Sequence, residues 1–158
     1  MSRFGWPGWS QAGLAFGVGA VMATGQAPLG FWWFTLLGLA ALMRLVTCGS
    51  GAGWLAWFGG AGYFALALSW IVQPFLIDVA RYGWMAPFAI VLASFGFALF
   101  WAAAGLVAGR MPGRALRVIT FAIGLAAVEL ARGYVLTGFP WALIGHVWIE
   151  TPMAQVAA

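Results

Sequence analysis

Lysine is absent from this 158-residue sequence, acids number three, and there is one cysteine and one histidine. The lone Cys48 excludes a disulfide within the chain and leaves the redox compartment open. Cys48 and His146 stand far apart, and no cluster has metal-ligand spacing. There is no glycine-rich phosphate loop before a helix and no Gly-x-Ser-x-Gly elbow. These absences leave no complete catalytic constellation and no cofactor to expect. The seven arginines are scattered between apolar runs and form no basic face, which argues against nucleic acid as a partner.

What is present is apolar. Hydrophobic residues make up 65% of the chain, charged ones 6%, and mean hydropathy is +0.99. A water-soluble fold carries about 25% charged residues, so lipid is the expected solvent. The fold class is all-α: a polytopic membrane protein of about five transmembrane helices plus the start of a sixth.

Apolar runs extend from about Gln11 to Gly25, Phe31 to Leu45, Trp54 to Val72, Trp84 to Ala108, and from near Leu116 onward. The first is short enough to resemble a signal-peptide core, but the second follows with hardly any linker, which favours a helical hairpin turned at Gln26–Gly30. The stretch Gln73 to Gly83, with Pro74, Asp78 and Arg81, reads as a loop, and Asp78 with Arg81 as a solvated pair. Thr151 and Pro152 read as a helix start. Six residues later the sequence stops, so one membrane domain, 1–158, truncated inside a sixth helix, is expected.

Orientation follows from arginine placement. With the N-terminus cytoplasmic, Arg3, Arg44, Arg110, Arg114 and Arg117 fall inside, and Arg81 and Arg132 outside with all three acids. Trp6, Trp9, Trp54 and Trp57 then anchor the inner interface, and Trp32, Trp33, Trp70, Trp84, Trp141 and Trp148 the outer one. Gly13 with Gly17, and Gly105 with Gly109, have the spacing that lets helices approach closely.

The chemistry-bearing stretch runs from Glu129 to Trp141. Twelve residues of helix raise Glu129 about 18 Å above Arg117, into the outer half of the hydrocarbon. An ionisable group there is costly and calls for a partner charge, which Arg132, three residues on, can offer. The pair reads equally as a buried structural ion pair or as part of a functional site. Gly138 and Pro140 break the backbone, so the helix is expected to end near Thr137, with Phe139 and Trp141 displayed at the interface and Ala142–Trp148 lying along the membrane surface. A transport or proton-relay protein using Glu129 is one alternative, a non-catalytic scaffold another; the relay would need a second ionisable residue facing Glu129, and the sequence offers none at that depth.

Arg132 to Trp141, read as Arg-Gly-Tyr-Val-Leu-Thr-Gly-Phe-Pro-Trp, closely resembles a stretch of the apolipoprotein N-acyltransferases. Ala27–Trp32, Ser69–Ile71 and Tyr82–Pro87 resemble further segments of that family in matching order. The resemblance implies transfer of an acyl chain from a phospholipid donor to the N-terminal cysteine of a diacylated lipoprotein, at the outer face of the bacterial inner membrane. It implies a thioester on a catalytic cysteine, with a glutamate and a lysine, in a nitrilase-like domain without counterpart here. Cys48 matches no family motif, so the chain alone is expected to be inactive. Glu129, Arg132, Phe139, Pro140 and Trp141 are the implied lipid-binding residues, Arg132 toward a donor phosphate and the aromatics toward acyl chains.

Overall fold

Residues 5–135, 138–149 and 151 are described by the computed structural model. All regular structure among them is helical. The helices are α1 (Trp9–Ala23), α2 (Trp32–Cys48), α3 (Ala52–Ala67), the one-turn α4 (Val79–Tyr82), α5 (Ala86–Arg110) and α6 (Arg114–Arg132). Three 3₁₀ segments, Ser69–Leu76, Gly83–Met85 and Ile144–Trp148, complete the order. The expected apolar runs thus appear as helices. Arg3, Thr137, Glu150 and the expected sixth-helix segment Met153–Ala158 lie outside the described residues.

α3 is the central helix, flanked by α1 and α5, while α2 packs on α1 and α6 on α5. Small residues make this possible. A methyl group on Gly19 of α1 would strike the Gly59 carbonyl of α3, and one on Gly62 would strike the Phe16 carbonyl, so these backbones touch. Gly105 and Gly109 do meet α3, at Ala52 and Ala56. Gly13 and Gly17, however, face open space. Their spacing of four is right, but they lie on the outer face of α1, and helix phase rather than spacing selects the contact.

The third apolar run does not form one straight helix. α3 stops at Ala67 and the chain continues, bent by 46°, as the 3₁₀ segment Ser69–Leu76 with Pro74 inside it. Proline removes an N–H and clashes with the carbonyl four residues earlier, which excludes a continuous α-helix. The following stretch is more ordered than the expected loop. Asp78 caps α4 by accepting the Arg81 backbone N–H at 3.3 Å, and the Arg81 guanidinium lies over the Tyr82 ring, 5.4 Å from its centroid.

By length and composition, one described helical stretch, Val79–Arg110, is long and apolar enough to cross a membrane. α3 with its bent continuation passes the same test as a pair, and α2 is apolar but shorter.

The bundle has two chemically distinct ends. The α2–α3 and α5–α6 turns share one, joined where Arg117 donates to the Thr47 carbonyl at 3.1 Å and to the Met111 carbonyl at 3.0 Å. Arg44, Arg110, Arg114 and Arg117 belong to that end, and no described acid does. Trp6, Trp9 and Trp54 gather there, with ring centroids 5.0 and 5.3 Å from Trp6. At the opposite end Trp32 meets Trp148 at 5.5 Å and Trp70 meets Trp141 at 5.9 Å.

Candidate functional site

The site is built where α6 ends. The helix closes at Arg132, five residues before the expected position, because the N–H groups of Gly133 and Tyr134 turn back to carbonyls three residues earlier, Leu130 and Ala131, both at 3.0 Å. The chain then reverses: Phe139 N–H donates to the Arg132 carbonyl at 2.9 Å, and Gly138 adopts φ +77°. Only glycine suits that position, since a Cβ on Gly138 would strike the Gly133 carbonyl.

This reversal lays residues 138–149 back over the bundle. Arg132 is 1% exposed. Its Nη1 donates to the Trp141 carbonyl at 2.8 Å, and its Nη2 to the Ala142 carbonyl at 3.3 Å and to Glu129 at 3.2 and 3.3 Å. The guanidinium also rests on two rings, 4.8 Å from the Phe64 centroid and 5.7 Å from that of Phe97. Nε is buried and has no partner among the described residues. The sequence-derived ion pair with Glu129 therefore exists, and most of the cation is spent on holding the returning backbone.

Glu129 is held with equal care. Oε1 accepts the Trp101 indole N–H at 3.0 Å, and Oε2 accepts the Ile144 N–H at 3.0 Å. One carboxylate thus joins α5, α6 and the returning segment. A second clamp comes from the α1–α2 turn, where Gln26 Nε2 donates to the Tyr63 hydroxyl at 2.5 Å and to the Leu143 carbonyl at 2.9 Å.

Phe139 and Trp141 part company. Phe139 is half-buried, stacked on Phe97 with ring centroids 4.7 Å apart and planes 16° from parallel, rather than displayed. Trp141 is exposed as expected, and Pro140 is exposed beside it. Ala142–Trp148 packs against the end of the bundle: Val147 is buried, and Ala142 and Ile144 pack on the core. The carbonyls captured by Arg132 and Gln26 pull this segment inward.

Two cavities flank the segment. One, of about 430 Å³, runs between α2 and α6 and is lined by Leu39, Met43, Leu125 and Ala126, with Glu129 and Ile144 also on its wall. The other, of about 520 Å³, has Gln26, Trp32, Trp70, Trp141 and His146 around it. His146 is half-buried. Burial pushes its imidazole below the usual pKa, the Arg132 charge adds to the shift, and Glu129 opposes it.

The sequence reading found Glu129 and Arg132 but missed Trp101, Gln26 and Tyr63. A tryptophan in mid-helix needs a partner for its N–H, which is the one signal that pointed to Trp101. Nothing in the sequence pairs Gln26 with Leu143, 117 positions away.

The site lies in the stretch a family model matches. That model, for the apolipoprotein N-acyltransferase N-terminal domain, covers residues 18–158. The chain belongs to this family. Among named members of the apolipoprotein N-acyltransferases, the one from Caulobacter vibrioides is 42% identical over 154 residues, which span 93% of this chain and 29% of that protein. Those from Rhodopseudomonas palustris and Azotobacter vinelandii are 34% and 35% identical, over 90% and 96% of this chain and 28% and 30% of theirs. The chain therefore spans about three-tenths of the length of the relatives it matches.

Proposed function

We propose that this chain is the membrane part of an enzyme that moves an acyl chain from a phospholipid to the N-terminal cysteine of diacylated lipoproteins, at the outer face of the bacterial inner membrane. Membership of the family supports the reaction class. Five spans account for the helices: α1, α2, α3 with its bent continuation, α5 and α6. Four arginines at one end support a cytoplasmic assignment for that end, which puts the Glu129–Trp141 stretch on the periplasmic side.

The observation that carries this reading is the anchored reversal after α6. Arg132 and Glu129, paired with each other, hold the backbone of residues 141–144 by three hydrogen bonds, two to carbonyls and one from an N–H, while Trp141 is left 59% exposed beside Trp70. Fixed polar groups beneath an exposed aromatic edge suit a surface that guides acyl chains. In this reading Trp141 and Pro140 meet lipid, Phe139 braces them through Phe97, and Glu129 and Arg132 position them. The engagement of both Nη atoms favours that holding role for Arg132 over direct capture of a donor phosphate. Glu129, ringed by fixed donors, suits an anchor better than a proton relay.

On its own the chain is proposed to be catalytically incomplete. In cells depleted of their own N-acyltransferase, it should leave lipoproteins diacylated, while an intact relative restores acylation. In that relative, the equivalent of Trp141→Ala should lower acylation with protein level unchanged. Rescue by the isolated chain, or full activity of the tryptophan variant, would overturn the respective claim.

A further inference from the structure

The 3₁₀ segment Ser69–Leu76, α4, the segment Gly83–Met85 and the first turn of α5 form an arm at the outer end of the bundle. No residue from 69 to 85 is buried. The arm also reaches past the anchored reversal: Phe64 of α3 and Phe97 of α5 lie level with Arg132, whose guanidinium rests on both rings. From Phe97 the helical stretch continues back to Val79, about 27 Å beyond that level. What the arm exposes is apolar. Ile77 at its tip is 87% exposed and Trp84 67%, and Leu76, Val79, Met85 and Phe88 are exposed with them. Its charged side chains, Asp78 and Arg81, are already engaged, the carboxylate with the Arg81 N–H and the guanidinium over the Tyr82 ring. Contiguous apolar patches beyond a few hundred Å² are rarely left in water, so this arm needs a cover.

Continuity and length name the cover. Trp84 meets Phe88 at 6.2 Å, and the exposed side chains run on along α5 through Val91, Leu92 and Leu99 with no charged residue between Trp84 and Leu99. Whatever solvates that face of α5 reaches the arm without a break. The stretch Val79–Arg110 has 32 residues, about 48 Å of helix, against about 30 Å of hydrocarbon and about 40–45 Å of bilayer with its headgroups. Upright, it would leave its tip in water. A lean of about 30°, inside the range of membrane helices, brings the whole stretch within the bilayer and lays the arm in the headgroup layer. Trp70, Tyr82 and Trp84 are the residue types that favour that layer.

We infer that the arm is a membrane-surface element whose partner is the lipid headgroup layer, with Ile77 and Val79 dipped toward the acyl chains. The inference rests on the membrane reading proposed above and goes beyond it. Trp70, at the base of the arm, meets Trp141 with ring centroids 5.9 Å apart. An arm held in the headgroup layer therefore sets the depth at which the Trp141 edge sits in the leaflet.

The test places a bimane fluorophore on Ile77→Cys, Val79→Cys or Leu92→Cys, one at a time, in the 158-residue chain carrying Cys48→Ser, held in phospholipid nanodiscs. All three positions are exposed, and Leu92 is the reference within the span. The quenchers are aqueous iodide and lipids that carry a nitroxide either near the headgroup or near the chain end. At Ile77 and Val79 the shallow nitroxide should quench most, from a depth of about 5–10 Å into the headgroup and acyl boundary, and iodide should quench less than it quenches the free bimane–cysteine adduct. Iodide quenching equal to that of the free adduct at both positions, with Leu92 shielded, puts the arm in water and overturns the inference alone. Shielding of Ile77 and Val79 from iodide and from both nitroxides means that polypeptide covers the arm, and overturns it too. Full iodide quenching at Leu92 overturns the membrane reading, and the inference with it.

Discussion

Trp101 of α5 reaches Glu129 of α6 across 28 positions of sequence and donates its indole N–H to the carboxylate at 3.0 Å. The tryptophan is fully buried, stacked on Tyr63 with centroids 5.2 Å apart. Its replacement by phenylalanine keeps the ring packing and deprives Oε1 of its inter-helix donor. Trp101→Phe should therefore destabilise the fold by about 1–3 kcal/mol, read as a lowered midpoint of unfolding in a mixed-micelle titration. An unchanged midpoint would mean that the bond contributes nothing net.

Removing one member of the ion pair should cost more than removing both. Glu129→Ala leaves the 1%-exposed Arg132 without its counter-charge, a change worth about 3–5 kcal/mol of lost stability. The double variant Glu129→Leu/Arg132→Met should recover part of that loss, because no buried charge remains. If the double variant is less stable than Glu129→Ala, the capture of the Trp141 and Ala142 carbonyls outweighs the charge effect.

The glycine contacts separate spacing from phase. Gly19→Ala and Gly62→Ala each force α1 away from α3, at about 1–3 kcal/mol by overpacking. Gly13→Ala and Gly17→Ala meet open space and should be neutral or stabilising by up to about 1 kcal/mol through helix propensity. Thermal unfolding of the four variants in one detergent ranks them, and a similar loss at Gly13 would contradict the α1 orientation.

His146 gives a pH dependence whose sign is fixed. Its pKa is lowered in the folded chain by burial and then by Arg132, so the unfolded chain binds the proton more readily. The folded state is then most stable above the usual histidine value of about 6.5, and loses stability as pH falls from there toward the lowered folded value. The half-buried ring makes the effect modest. His146→Gln should flatten the slope of melting temperature against pH in that window, and an unchanged slope would remove His146 as its source.

Much of this organisation is legible in the sequence. Apolar run length gives the helices because hydrophobic content and breakers act locally, and the three-residue spacing of Glu129 and Arg132 gives the ion pair because one helix fixes it. What escaped notice is whatever depends on a second element. The inward pull on Ala142–Trp148 comes from Gln26 on a distant turn, and from Arg132 groups that the sequence pairs only with Glu129. Phe139 reads as an interfacial residue until Phe97 supplies a face for it to stack on. The bend after Ala67 was marked by Pro74, but its apolar neighbours Ile71 and Val72 extend the hydrophobic run past the true end of α3.

α6 behaves mechanically as a beam pinned at both ends. Arg117 ties its start to the last turn of α2, and Glu129 with Arg132 ties its finish to α5 and the returning chain. Between the pins, α2 and α6 stand apart by the width of the 430 Å³ seam. Sliding or axial rotation would break bonds at both pins together, whereas bowing breaks neither. The middle of α6, around Ala122 to Ala126, faces the seam on one side while Gly124 packs on Ala104 of α5 on the other.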